Sequence, residues 1–200
     1  MRFDFTFARE YEIKVLEGPA PVHPVEKLYH FPVELEEGDR TGVHVRVAPK
    51  VGRAWFGFFA SGFDSPHVLN AVCSCPDPDS FCVVAGGYAY VVKAGDPAQW
   101  FRVEQRPVVE LRTVTDRQLL LFEGFTSISA VGPNGIEWNS DRLSWEGLRV
   151  TGIRDDVLRG FGWDALTDKE AAFELDLRTG KHTGGAAPAN AISKFPSVET

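Results

Sequence analysis

His67, Cys73, Cys75 and Cys82 place four potential metal ligands within sixteen residues, a donor set that zinc accepts in a tetrahedral shell. Common structural zinc sites separate paired cysteines by two to four residues so that the chain can wrap the ion. Here a single serine separates Cys73 from Cys75, which on a strand would leave the two thiols on one face. The competing reading makes Cys73 and Cys82 small buried apolar groups and sets Cys75 at the mouth of a turn. A nucleophilic thiol would need a base beside it, and His23, His30, His44 and His182 are scattered without a local signature. Zinc at this cluster is the one cofactor to be weighed, and none other is expected.

Carboxylates stand in pairs at Asp77 and Asp79, Asp155 and Asp156, and Asp164 and Asp168. Any pair could divide acid and base roles. Turn chemistry accounts for the first, where short acids among prolines accept backbone N–H groups. The second reads as the start of a short helical turn over Asp155 to Arg159, with the acids at the positive end of the dipole. Asp164 and Asp168 are the catalytic candidates, for hydrolysis of a small polar substrate at the end of a sheet. Gly86-Gly87 and Gly184-Gly185 are not followed by Lys-Ser/Thr and open no helix, so they read as bends in β structure and not as phosphate cradles.

Five tryptophans are many for a chain of 200 residues. Trp145 follows Asn139-Ser140-Asp141-Arg142 closely and Trp163 lies between Gly162 and Asp164, contexts that could hold either ring at a loop surface as a platform for a sugar or an anchor for another protein. Trp55, Phe56 and Phe58 form an apolar burst that would mark an interface if exposed. The remaining aromatic groups suit a core.

The elements that would carry these residues are strands. Phe3, Phe5 and Phe7 alternate with polar residues, Tyr11, Ile13 and Val15 do the same, and Val43, Val45 and Val47 alternate with His44 and Arg46. Leu119 to Phe122 is apolar on both faces, as an inner strand would be, and Gly132-Pro133-Asn134-Gly135 is a strong hairpin turn. Four apolar runs precede turns built on Asp39, Asp77, Asp116 and Asp168, at intervals of 38, 39 and 52 residues, which predicts similar hairpin units repeated along the chain. Beyond Lys181 the composition turns to Gly, Ala, Pro and Ser, predicting one all-β domain over 1–180 and a loose tail over 181–200.

From Pro32 to Gly180 these units resemble the blades of a β-propeller, four antiparallel sheets packed face on face. The resemblance is one of architecture and implies about four blades. A β-sandwich or distorted barrel made from the same hairpins is the alternative. Net charge of −7 without a basic stripe argues against nucleic acid. No stretch approaches the ~18 apolar residues of a membrane helix, no leader-like apolar core is present, and three clustered cysteines fit a reducing compartment. The chain therefore reads as a cytoplasmic, non-catalytic module for binding a protein partner, with a second copy of itself as another candidate. A hydrolase and a small-ligand or glycan-binding domain using surface tryptophans are the other two readings.

Overall fold

A computed structural model describes residues 1–32, 41–65 and 68–186. The chain opens with β1 (Arg2–Asp4), β2 (Tyr11–Val15), β3 (Leu28–Phe31), β4 (Gly42–Pro49) and β5 (Trp55–Ala60). It continues with β6 (Ala71–Ser74), β7 (Ser80–Ala85), β8 (Tyr88–Lys93), β9 (Trp100–Arg102) and β10 (Glu110–Val114). After a 3-10 turn at Thr115–Arg117 come β11 (Leu119–Glu123), β12 (Ile128–Gly132), β13 (Gly135–Asn139), β14 (Leu148–Arg154), β15 (Val157–Asp164), β16 (Lys169–Asp176) and β17 (His182–Gly184). The strands form four sheets, ordered β2-β4-β5-β3, β1-β6-β7-β8-β9, β10-β11-β12-β13 and β14-β15-β16-β17, called first to fourth below. The architecture is all-β and propeller-like. Among the described residues no helix is long and apolar enough to cross a membrane.

Alternation along each strand decides how the sheets meet. In β7, Phe81, Val83 and Ala85 enter a core with Val45, Val47 and Phe59 of the first sheet, while Cys82 and Val84 enter another with Leu120, Phe122 and Val131 of the third. In β11 the opposite phase puts Leu119 and Leu121 against Leu158, Phe173 and Leu175 of the fourth sheet. Three cores thus join first to second, second to third and third to fourth. No such core joins the fourth sheet to the first among the described residues.

The predicted turns fall between paired strands. Asp77 lies between β6 and β7, Asp116 in the 3-10 turn between β10 and β11, and Asp168 between β15 and β16; Asp39 lies outside the described residues. Gly86 and Gly87 at φ +53° and +75° close the hairpin that pairs Ala85 with Tyr88, a reversal that needs positive φ at both central positions. The short helix expected at Asp155 to Arg159 is instead a two-residue hairpin loop. Asp155 and Asp156 take φ +51° and +63°, and Arg154 pairs with Val157. Acids tolerate that left-handed conformation through local hydrogen bonding, so the same two residues suit a helix start or a tight turn.

Long-range pairing supplies the other departures. β1 runs parallel to β6 in the second sheet while β2 is antiparallel to β4 in the first, so the two opening strands part company, with Phe3 exposed and Phe7 buried. β17 lies within the stretch expected to be loose, yet it pairs with Phe173 to Leu175 of β16 and completes the fourth sheet.

Leu121 is fully buried in the third core, whereas Ile136, in the edge strand β13 of the same sheet, is 44% exposed. Leu121→Ala is expected to destabilise the fold by about 2–5 kcal/mol and Ile136→Ala by no more than about 0.5 kcal/mol. Urea midpoints for the two variants check this, and equal shifts would show that the face-on-face core does not carry the stability.

Candidate functional site

In β15, Leu158, Gly160, Gly162 and Asp164 point inward, leaving Arg159, Phe161 and Trp163 on the outer face of the fourth sheet. Register places Phe161 between Arg149 of β14 and Ala172 of β16, and Trp163 beside Glu170. The Arg149 guanidinium lies 4.6 Å from the Phe161 ring centre and donates to both Glu170 carboxylate oxygens at 2.9 Å. Together these side chains line an open hollow of about 410 Å³, with Phe161 and Trp163 half-buried at its sides.

The hollow has a rigid backing. The Ser144 hydroxyl donates to the Gly147 carbonyl at 2.6 Å and accepts from the Trp163 N–H at 2.8 Å. The Trp145 N–H donates to the Trp163 carbonyl at 2.9 Å. A Cβ at Gly162 would stand 2.2 Å from the Leu143 carbonyl, so only glycine permits this close approach. Trp145 and Trp163, singled out from turn context, are therefore adjacent. Trp145 lies under the Arg142 guanidinium at 4.4 Å, and its buried indole N–H has no hydrogen-bond partner among the described residues.

Asp164 and Asp168 hold the same hairpin together. Buried Asp164 accepts from the Thr167 hydroxyl at 2.8 Å and the Leu166 N–H at 3.4 Å. Asp168, at φ +53°, accepts from the Trp163 indole N–H at 3.3 Å. These contacts are those of a turn and of a ring-positioning acceptor.

Trp55 and Phe56 depart from the expected exposed patch. Trp55 is 4% exposed and its indole N–H donates to the Ala94 carbonyl at 2.9 Å. Phe56 is equally buried, with Arg46 opposite in register and the His23 ring 6.3 Å away. Phe58 alone of the three is half-buried, on the outer face of the first sheet between the rings of His30 at 5.8 Å and His44 at 4.7 Å.

Cys73 and Cys82 face each other across β6 and β7, and with Cys75 they are buried free thiols in the second core. Burial pushes the Cys75 and Cys82 thiols well above the usual range, so they remain protonated. His67 lies outside the described residues. Among the described residues no three His, Cys, Asp or Glu side chains converge as a metal site would require.

Sequence reasoning missed a second concavity, of about 430 Å³, where Val91, Lys93, Trp100 and Phe101 of the second sheet face Val131 and the Pro133–Gly135 turn of the third. It joins residues from separate hairpins, which local pattern does not reveal. At its polar end Asp77 accepts from Lys93 Nζ at 2.6 Å, from the Ser80 hydroxyl and from the Asp79 N–H.

No protein-family model matches this chain, and no curated protein matches it. Among solved structures it is similar to the N-terminal domain of Nup159, at 13% identity and a TM-score of 0.36, covering 98% of this chain and 56% of that one. It is also similar to a chain in the Saccharomyces cerevisiae assembly of a Dbp5 variant with Nup159, a Gle1 variant, IP6 and ADP, at 12% identity and a TM-score of 0.36, covering 98% and 55%. The chain thus spans just over half the length of the structures it matches.

Burial raises the Asp77 carboxyl, but the hydrogen bonds from Lys93, Ser80 and Asp79 outweigh it and hold the group below its ordinary 3.8. A depressed carboxylate contributes stability above its unfolded value and loses that contribution as pH falls through the folded value. Asp77→Asn is therefore expected to lose less stability than the parent between about pH 5 and about pH 2. Urea midpoints across that window check the difference, and parallel curves would remove Asp77 from the acid response.

Proposed function

We propose that the protein is a non-catalytic interaction module that receives a partner protein on the outer face of its fourth sheet. Phe161 and Trp163 act as apolar anchors, and Arg149 and Glu170 form the polar surround. The observation that carries this reading is the pair of half-buried rings on a sheet face that no other described sheet covers. Aromatic and arginine side chains dominate binding energy when a partner excludes water from them, and the Trp163 ring is already oriented by Asp168, which lowers the ordering cost of binding. The same hollow, with a ring flanked by Arg149 and Glu170, also has the furniture for stacking a sugar. That is the second reading.

A photo-crosslinking residue in place of exposed Ala172, introduced in the native source, should yield a discrete protein adduct. Trp163→Ala should weaken capture by roughly 30-fold, the scale of a hot-spot truncation, whereas Lys14→Ala on the first sheet should leave it unchanged. Absence of an adduct, or capture that ignores Trp163→Ala, would overturn the reading. Saturable quenching of tryptophan fluorescence by an oligosaccharide without any adduct would establish the glycan reading instead.

A further inference from the structure

β9 ends the second sheet, bonded to β8 on one side. The Lys93 N–H donates to the Gln99 carbonyl at 3.0 Å and the Val103 N–H to the Ala89 carbonyl at 2.9 Å, with Phe101 opposite Val91 between them. In an antiparallel pair, bonded residues alternate with residues whose N–H and C=O point the other way. Trp100 and Arg102 therefore turn their backbone donors and acceptors outward, along an edge that no other strand pairs with among the described residues. The cavity of about 430 Å³ adjoins this edge, with Trp100 and Phe101 on one side and Val131 and Pro133 on the other.

The contents of the cavity select what can enter. Its floor is apolar, with Val91 3% exposed and Val131 and Cys75 1% exposed. Among the described residues Lys93 is the one cation in its lining, and it is bonded to Asp77, so the two charges offset each other. An anionic or cationic side chain would meet no unpaired opposite charge on entry and would lose its hydration. An uncharged apolar side chain needs only the floor. A volume in the range of small-ligand pockets, about 300 to 1,000 Å³, accommodates such a side chain with its neighbouring amides.

We infer that the cleft between the second and third sheets binds an extended peptide, which adds as a strand to the free edge of β9 and inserts one uncharged apolar side chain into the cavity. Main-chain hydrogen bonds to Trp100 and Arg102 supply register, and the pocket supplies side-chain selectivity, the usual division of labour in strand addition. This site is independent of the fourth-sheet face and stands whether or not that reading holds.

The test titrates the intact ¹⁵N-labelled protein with a blocked pentapeptide carrying leucine at its centre and threonine at the other positions. Saturable shifts are expected at the amides of Trp100, Arg102, Val131, Gly132, Asn134 and Gly135, and an aspartate-centred peptide should bind at least tenfold more weakly. Leucine peptides N-methylated at alternate residues, in the two registers, separate strand addition from simple side-chain insertion. One register should bind at least tenfold more weakly while the other is unaffected. Equal binding by both registers would overturn strand addition, and absence of saturable shifts at these amides would overturn the site.

Discussion

The inner strands of the second and third sheets are buried on both faces, and the rest of the structure depends on that constraint. Every residue of β7, β11 and β12 is buried, so each side chain has to fit one of two different cores. Full burial of a Val, Leu, Ile or Phe side chain contributes about 1.5–3 kcal/mol, and these three strands carry most of their length in such residues. Polar ties between sheets are weaker. Arg117 bonds Asp156 across the third and fourth sheets and Arg2 bonds Glu110 across the second and third, but all four side chains are at least a quarter exposed, where ion pairs contribute about 0–1 kcal/mol. Apolar packing sets the stack, and the ion pairs trim its surface. The Trp138 indole N–H, which donates to the Leu177 carbonyl at 2.7 Å, is a more consequential tie because it is buried and would otherwise go unsatisfied.

That division explains which parts of the fold were legible in the sequence. The apolar run Leu119 to Phe122 reads directly as an inner strand because a two-sided core leaves no polar phase. The reversal at Pro133-Asn134, closed by the pairing of Gly132 with Gly135, and the Gly86-Gly87 bend are equally readable, since positive φ at Gly135, Gly86 and Gly87 selects glycine locally. Pairing between distant segments is not. Nothing in Leu28 to Phe31 states that it will lie parallel to Phe56 to Phe59 at the edge of the first sheet, and His182 to Gly184 carries too little apolar content to announce a strand whose stability comes from its neighbour. Asp155-Asp156 was ambiguous for a physical reason, because acids satisfy either a helix start or a left-handed turn.

The candidate site was half legible on the same grounds. Turn residues around Trp145 and Trp163 suggest for each ring a place at a loop surface, but that the two are adjacent rests on the bond from the Trp145 N–H to the Trp163 carbonyl, which joins separate segments. Trp55 and Phe56 mislead because an unbroken apolar burst is the signature of a core strand as much as of an interface. The Trp55 indole is held by the Ala94 carbonyl, and the Phe56 ring lies beside that of His23, groups remote in sequence.

The pattern within β15 argues that its rings belong to a surface. A strand that used aromatic mass to fill a core would turn its large residues inward and its small ones outward. From Arg159 to Trp163 the arrangement is inverted, with Gly160 and Gly162 facing the third sheet and Phe161 and Trp163 facing away. The inward glycines are needed there, since a Cβ at Gly160 would press on the Arg149 carbonyl and the Phe173 ring at 2.6 Å. The core is already full at those positions without β15 side chains. The outward rings are consequently not required by the packing of the sheet behind them, and large half-buried apolar groups that a fold does not need for itself are the groups a binding partner can cover at least cost to the free protein.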